Sequence, residues 1–292
     1  MTAYIKLIRP HQWIKNVFVF LPLFFGGQIA EPANLFHAVL AFLAFSFVAS
    51  SIYCFNDIYD VEADRLHPKK KKRPIASGKV SVKAGYFAMF LLLAAALGIS
   101  SLLPGNSKYG VVAVIAAYWV MNIAYCVRLK RIAVLDVFII AVGFVLRIVA
   151  GGQATGVWIS HWIVLMTFLL ALFLALCKRR DDVAIYKTSG VAMRANVVNY
   201  SLQFIDMAVA VIAAVTVVCY IMYTVSPDVV SRFHSENLFY TAIFVLGGVI
   251  RYLQVTIVNS RSGSPTSVLY KDAMLQICII GWIISFLAII YL

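Results

Sequence analysis

Between Asn56 and Val80 the chain reads NDIYDVEADRLHPKKKKRPIASGKV, a stretch holding residue types suited to metal and phosphate. Asn56, Asp60 and Asp64 are spaced i, i+4, i+8, and Asp57 stands beside them. A preceding helix that runs on for two turns would put these oxygens on one face. Carboxylates gathered this way repel one another unless a cation lies between them. Oxygen ligands of this kind suit Mg²⁺, which typically takes one or two carboxylates together with substrate phosphates. A solvated loop that merely anchors a membrane boundary is the plainer reading. Lysines and arginines alone would serve that purpose, and the acids would not be needed.

Three further constellations bear on chemistry. In CKRRDDVAIY, residues 177–186, Lys178 and Asp182 lie one helical turn apart, while Arg179 and Arg180 offer guanidinium forks suited to phosphate. A basic stop at the end of a span is the alternative, although Asp181 and Asp182 do not fit it. In YCVRLKRIAVLDVFIIAVGFVLR, residues 125–147, Asp136 and Arg147 are almost three whole turns apart and share a face, and Lys130 precedes them. Arg147 lies deep in an apolar helix, where a charge needs a partner or a wet cavity. Its alternative role is a structural ion pair, for instance with Asp206. In the N-terminal segment Arg9, Gln12, Lys15 and Asn16 stand at helical spacing, facing either a polar cavity or the membrane surface. The last loop, 259–275, combines Arg261, Lys271 and Asp272 with a turn marked by Gly263 and Pro265.

Spans of a membrane must position these groups. The chain is 63% hydrophobic, and apolar runs of about twenty residues recur along it, each long enough to cross a bilayer as a helix. The expected fold class is all-α: a polytopic membrane protein forming a single domain over 1–292, with about nine spans at 16–30, 35–55, 84–103, 109–127, 133–150, 158–177, 204–224, 237–258 and 273–291. Residues 1–15 read as a basic interfacial segment with Trp13 at headgroup level, and 56–83 and 178–203 as active-site loops. Spans ending in acidic clusters at 35–64 and 158–182 hint at a duplication of architecture, without a residue-by-residue repeat.

The net charge of +13 does not signal nucleic acid, because the basic residues gather in short loops on alternate sides of the spans. One side holds the N-terminus, 56–83 (Lys69 among its lysines), 128–131, 178–203 (with Arg194) and 259–272; the other holds only Lys108 and Arg232. This asymmetry puts the N-terminus and the charged loops in the cytoplasm and the C-terminus outside. The five cysteines show neither metal spacing nor a disulfide framework, and no removable signal peptide is evident.

The segment Asn56-Asp57-x-x-Asp60-x-x-x-Asp64 resembles the first aspartate-rich motif of the UbiA-type intramembrane prenyltransferase superfamily. Within it the chain looks like the decaprenyl-phosphate phosphoribosyltransferase branch, through RPHQWIKN at 9–16, NDIYDVEADRLHP and RPIASG within 56–78, LK, LDV, GFVLR and AGG within 129–152, KRR at 178–180, and SGSPT and KD within 262–272. Ser264 departs from the pattern, standing where an acid is expected. The resemblance implies a bundle of nine helices with a cytoplasm-facing cavity in a bacterial plasma membrane, active in cell-envelope biosynthesis. It also implies the reaction: a polyprenyl phosphate attacks the anomeric carbon of phosphoribosyl pyrophosphate and pyrophosphate leaves.

By the same resemblance, Asp57, Asp60 and Asp64 would hold Mg²⁺ on the leaving group, with Asn56 orienting them. Arg65, Lys70 and Arg73 would grip donor phosphates, and Lys178, Arg179 and Arg180 the donor or the acceptor phosphate. Arg147 would meet a phosphate at the inner end of the cavity. Arg9, Gln12, Lys15, Lys130, Asp136 and Asp182 complete the expected substrate contacts. Aromatic prenyltransferases carry a second DxxxD motif where this chain reads KRRDD, a change that suits phosphate on both substrates. Two alternatives stay open: an aromatic prenyltransferase consuming a polyprenyl diphosphate, and a lipid-phosphate transporter. No redox cofactor or nucleic acid is called for, and a homo-oligomer is left open.

Overall fold

Backbone groups inside a bilayer must be satisfied within the chain, and helices do this locally. The computed structural model describes residues 2–67, 70–190, 196–259 and 265–291, and no strand occurs among them. Lys69, Arg194, Arg261, Gly263 and Ser264 lie outside the described residues. The α-helices are α1 Thr2–Ile8, α2 Leu21–Phe25, α3 Pro32–Tyr59, α4 Val61–Leu66, α5 Val82–Ser100, α6 Ser107–Val127, α7 Leu135–Thr155, α8 His161–Ser189, α9 Leu202–Thr224, α10 Pro227–Phe233, α11 Ala242–Ile257, α12 Pro265–Lys271 and α13 Ala273–Tyr291. Serines set three of the starts: Ser81, Ser160 and Ser201 accept from the amides of Ala84, Ile163 and Phe204, satisfying a donor that the first turn leaves open.

Eight segments among the described residues are long and apolar enough to cross a membrane: α3, α5, α6, α7, α8, α9, Asn237–Ile257 and Ala273–Ile290. They coincide with eight of the expected spans, and the chain is a multi-pass membrane protein. The span expected at 16–30 takes another form. A 3₁₀ helix of 11 residues, Pro10–Phe20, runs into the 5 residues of α2. Because a 3₁₀ helix rises about 2.0 Å per residue against 1.5 Å in an α-helix, the two together rise roughly 30 Å, the thickness of the hydrocarbon. The expected interfacial segment is accordingly divided: α1 ends at Ile8, Arg9 turns the chain at a left-handed φ of 52°, and Pro10 opens the 3₁₀ helix.

The chain forms two compact units, Met1–Lys130 with Val142–Ile159, and Arg131–Ala141 with Ser160–Leu292. In the first, α3 packs against α1, α5, α6 and the 3₁₀ helix. Its apolar window is 67% buried, which makes it the hub of this unit. Small residues such as Ala41, Ala44, Ser50 and Ser51 let its neighbours approach closely. Gly151 of α7 meets the 3₁₀ helix in the same way: a Cβ there would run into the carbonyl oxygen of Val19. In the second unit α8 packs against α9, and α11 against α9 and α13.

Candidate active site

The acids at the end of α3 do not share one continuous face. α3 stops at Tyr59, Asp60 sits at its end with φ −91° and ψ 9°, and α4 starts afresh at Val61. The break sends Asp60 one way and brings Asp57 and Asp64 together on Arg73. One guanidinium nitrogen of Arg73 donates to Asp64 Oδ2 at 2.6 Å and lies 3.2 Å from Asp57 Oδ1. Asp57 and Asp64 are 1% and 2% exposed, so each requires a compensating charge.

The segment after the lysine run holds Arg73 in place. Residues 74–80 close a turn on themselves, with Val80 N–H on the Pro74 carbonyl and Gly78 N–H on that of Ile75. Gly78 takes φ +75°, which glycine adopts without steric penalty. Ile75 and Val80 are 2% exposed and pack with Leu7, Ile58 and Met89. RPIASG is therefore a hydrophobic plug whose first residue is delivered to the two acids.

The N-terminal segment supplies a second guanidinium. Ser46, Ser50, Tyr53 and Asp57 lie at i, i+4, i+7 and i+11 on α3, one face of the helix. Asn16 donates to Ser46 at 2.9 Å and the Trp13 indole to Ser50 at 3.0 Å. Ser50 in turn donates to the Ile8 carbonyl at 2.8 Å, while Arg9 lies over the Tyr53 ring and pairs with Asp57 Oδ1. The segment is thus fastened along a polar stripe, with Trp13 bonded inside the protein. Gln12 and Lys15 are half-buried on the 3₁₀ helix.

Asp60 is held from the far end of α6, where Lys130 donates to both of its oxygens. Asn56 faces α6 as well, accepting from the Cys126 thiol at 3.6 Å. Arg65 pairs with exposed Glu62 one turn before it, an arrangement of little energetic weight. Lys70 lies on the 3₁₀ turn Lys70–Lys72.

Arg147 is 5% exposed, and no ion pair with it is found among the described residues. It donates to Asn16 Oδ1 at 2.8 Å, to the Gly143 carbonyl at 2.6 Å and to the Tyr118 hydroxyl at 3.3 Å. The rings of Phe45, Tyr118 and Phe144 lie about it at 4.9–5.2 Å. Asp206, the alternative partner, is held within its own unit by Arg180 at 2.6 Å.

In the second unit Asp136, fully buried, accepts from Arg179 at 2.5 Å and from the Tyr200 hydroxyl at 2.7 Å. Arg179 also donates to Asp182 at 2.8 Å, and Arg180 to the Thr256 carbonyl at 2.9 Å. Burial above all, and then Asp136, pushes the Tyr200 hydroxyl above its ordinary range, so it stays a donor to that carboxylate. Tyr200 also accepts the amide of Val134, whose φ of 70° is rare for a β-branched residue. Arg179 is 1% exposed with both terminal nitrogens on carboxylates. It acts here as a tie between elements of its unit. Lys178 lies beside it on α8.

The acids of the first unit have the chemistry of a divalent-cation site. Asp57 Oδ2 is buried and has no hydrogen-bond partner among the described residues, which leaves a hard oxygen donor to spare. Asp57 and Asp64 both reach one nitrogen of Arg73, so these two carboxylates are the residues that would hold a cation. As they stand, however, no three His, Cys, Asp or Glu side chains among the described residues converge to hold a metal. Basic side chains neutralise the acids instead.

Comparison with known proteins follows the same lines. Residues 19–284 match the model of the UbiA prenyltransferase family. The chain is 35% identical to decaprenyl-phosphate phosphoribosyltransferase of Mycolicibacterium smegmatis, over 100% of this chain and 93% of that protein. It is 30% identical to the protein of that name from Corynebacterium glutamicum, over 99% and 86%. A UbiA homologue from Archaeoglobus fulgidus, solved bound to GPP and Mg²⁺, superposes with a TM-score of 0.72 at 22% identity, covering 99% of this chain and 100% of that one.

Proposed function

Because the chain belongs to the UbiA prenyltransferase family, we propose that it transfers the 5-phosphoribosyl group of phosphoribosyl pyrophosphate to a polyprenyl phosphate. One observation carries this reading: the similarity to decaprenyl-phosphate phosphoribosyltransferases runs through essentially the whole chain. In the reaction the bond from the anomeric carbon to the pyrophosphate oxygen breaks, and its electron pair leaves with pyrophosphate. A new bond forms from that carbon to an oxygen of the acceptor phosphate. The acceptor is already an anion, so no strong general base is needed.

Asp57 and Asp64 would hold Mg²⁺, with Asp60 nearby at the end of α3. When bound, the ion neutralises charge on the departing pyrophosphate. Arg9, Arg73 and Lys130 supply the cations that would bind the donor phosphates and stabilise the charge developing as the bond breaks. Asn56 orients the end of α3. Arg147 secures the 3₁₀ helix, and through it the placement of Arg9. Arg179, Arg180, Asp136 and Asp182 hold their own unit in shape. The acids and their loops face the cytoplasm of a bacterial plasma membrane, where the water-soluble donor is made.

The test is direct. Purified protein in detergent, given labelled phosphoribosyl pyrophosphate, a polyprenyl phosphate and Mg²⁺, should yield a labelled lipid. No labelled lipid, together with prenylation of a hydroxybenzoate by a polyprenyl diphosphate, would replace this reading by that of an aromatic prenyltransferase.

A further inference from the structure

We infer that Arg9 and Arg73 are stand-in counter-ions that pass from the acids to the substrate, so that Mg²⁺ and a diphosphate bind as a coupled pair. The inference rests on the functional reading above and deepens it. Three carboxylates, Asp57, Asp60 and Asp64, are met by three basic side chains, Arg9, Arg73 and Lys130. The cluster is electrically closed. Asp57 and Asp64 are nearly inaccessible to water, so charge imbalance there is poorly screened.

Each ligand alone upsets this balance. A divalent cation alone must compete with guanidinium groups already on Asp57 Oδ1 and Asp64 Oδ2, and it leaves an excess of positive charge. A diphosphate alone leaves an excess of negative charge beside buried carboxylates. Together the two nearly cancel. The cation takes the carboxylate oxygens, including the unpartnered Oδ2 of Asp57. The released forks of Arg9 and Arg73 match phosphate oxygens as well as they match carboxylates. Each ligand must then raise the affinity of the other by the same factor.

The relation makes a prediction of opposite signs that a merely structural salt bridge does not. Isothermal titration of the full chain in detergent uses MgCl₂ alone, then pyrophosphate in saturating Mg²⁺. Arg73→Gln should bind Mg²⁺ alone at least tenfold more tightly than the wild type, because Asp64 is released and Asp57 keeps Arg9 alone. The same variant should bind pyrophosphate in saturating Mg²⁺ at least tenfold more weakly, because a phosphate ligand is lost. Arg9→Gln should move both values in the same directions. Arg73→Lys, which keeps the charge, should stay near wild type for Mg²⁺ alone and serves should Arg73→Gln fail to fold. In that event Arg73→Lys together with Arg9→Gln gives the comparison. Equal Mg²⁺ affinity in wild type and variants, or changes of the same sign for both ligands, would overturn the inference while leaving the reaction intact. Absence of pyrophosphate binding to the wild type at any Mg²⁺ concentration would instead sink the reading of the site.

Discussion

Lys130 donates to both carboxylate oxygens of Asp60, at 2.6 and 2.8 Å, across a separation of 70 positions in the chain. The pair fastens the end of α3 to the end of α6, and Lys130 also lies over the Tyr59 ring. Both partners are partly exposed, so the contribution to stability is at most about 1 kcal/mol. Lys130→Met should therefore leave the melting temperature within a few degrees of wild type. Transfer to lipid should fall at least tenfold, about 1.4 kcal/mol in the barrier. A variant with full turnover would remove Lys130 from the site.

Removing the divalent ion or its ligands should separate activity from folding. Chelation with EDTA is expected to abolish transfer and added Mg²⁺ to restore it. Asp64→Asn should lower turnover by roughly 10²–10³-fold, the scale of losing one preorganised electrostatic contact in a transition state. Labelled-lipid formation and a melting curve, measured on the same preparation, check both.

Gly151 gives a prediction about packing. Any Cβ there meets the backbone carbonyl of Val19, which cannot rotate away, whereas one at Gly152 meets the mobile side chain of Ile159. Gly151→Ala should destabilise by about 1–3 kcal/mol, the usual range for overpacking, and Gly152→Ala by less. Thermal unfolding in detergent orders the two variants.

Acid sensitivity follows from Asp272. Hydrogen bonds from Arg251 hold its carboxyl below the ordinary 3.8. A carboxylate depressed in the folded state stabilises above its unfolded pKa, and that stability is lost as the pH falls through the lower folded value. Between pH 5 and pH 2.5 the wild type should lose more melting temperature than Arg251→Gln, which keeps only the smaller lowering from the backbone amides of Leu275 and Met274. Parallel curves for the two proteins would refute the linkage.

Much of this was legible in the residues. The spans were visible as apolar runs because bilayer thickness dictates their length, and the acids stood out against them. The first span, expected at 16–30, differed in form, because the chain there is a 3₁₀ helix from Pro10 that runs into a short α-helix. The single acid face failed at Asp60, where α3 ends, and a count of i+4 steps cannot see a helix stop. RPIASG was recognisable as a motif but not as a plug, since its meaning lies in Ile75 and Val80 packing against Leu7 and Ile58. The stripe of Ser46, Ser50, Tyr53 and Asp57 lay inside an apolar span and was not read from the sequence. The sequence signal was there: polar positions recurring at helical spacing inside an apolar run. For Arg147 the sequence offered a phosphate or, as the alternative, a carboxylate; amide, carbonyl, phenol and rings surround it instead.

That surrounding of Arg147 bears on how the protein is made. Asn16, Phe45, Tyr118, Gly143 and Phe144 all precede Arg147 in the polypeptide. During synthesis every group that shelters the guanidinium has therefore left the ribosome before the charge itself emerges. A fragment starting after Tyr118 would keep only the Gly143 carbonyl and the Phe144 ring for that charge, and lose Asn16, Phe45 and Tyr118.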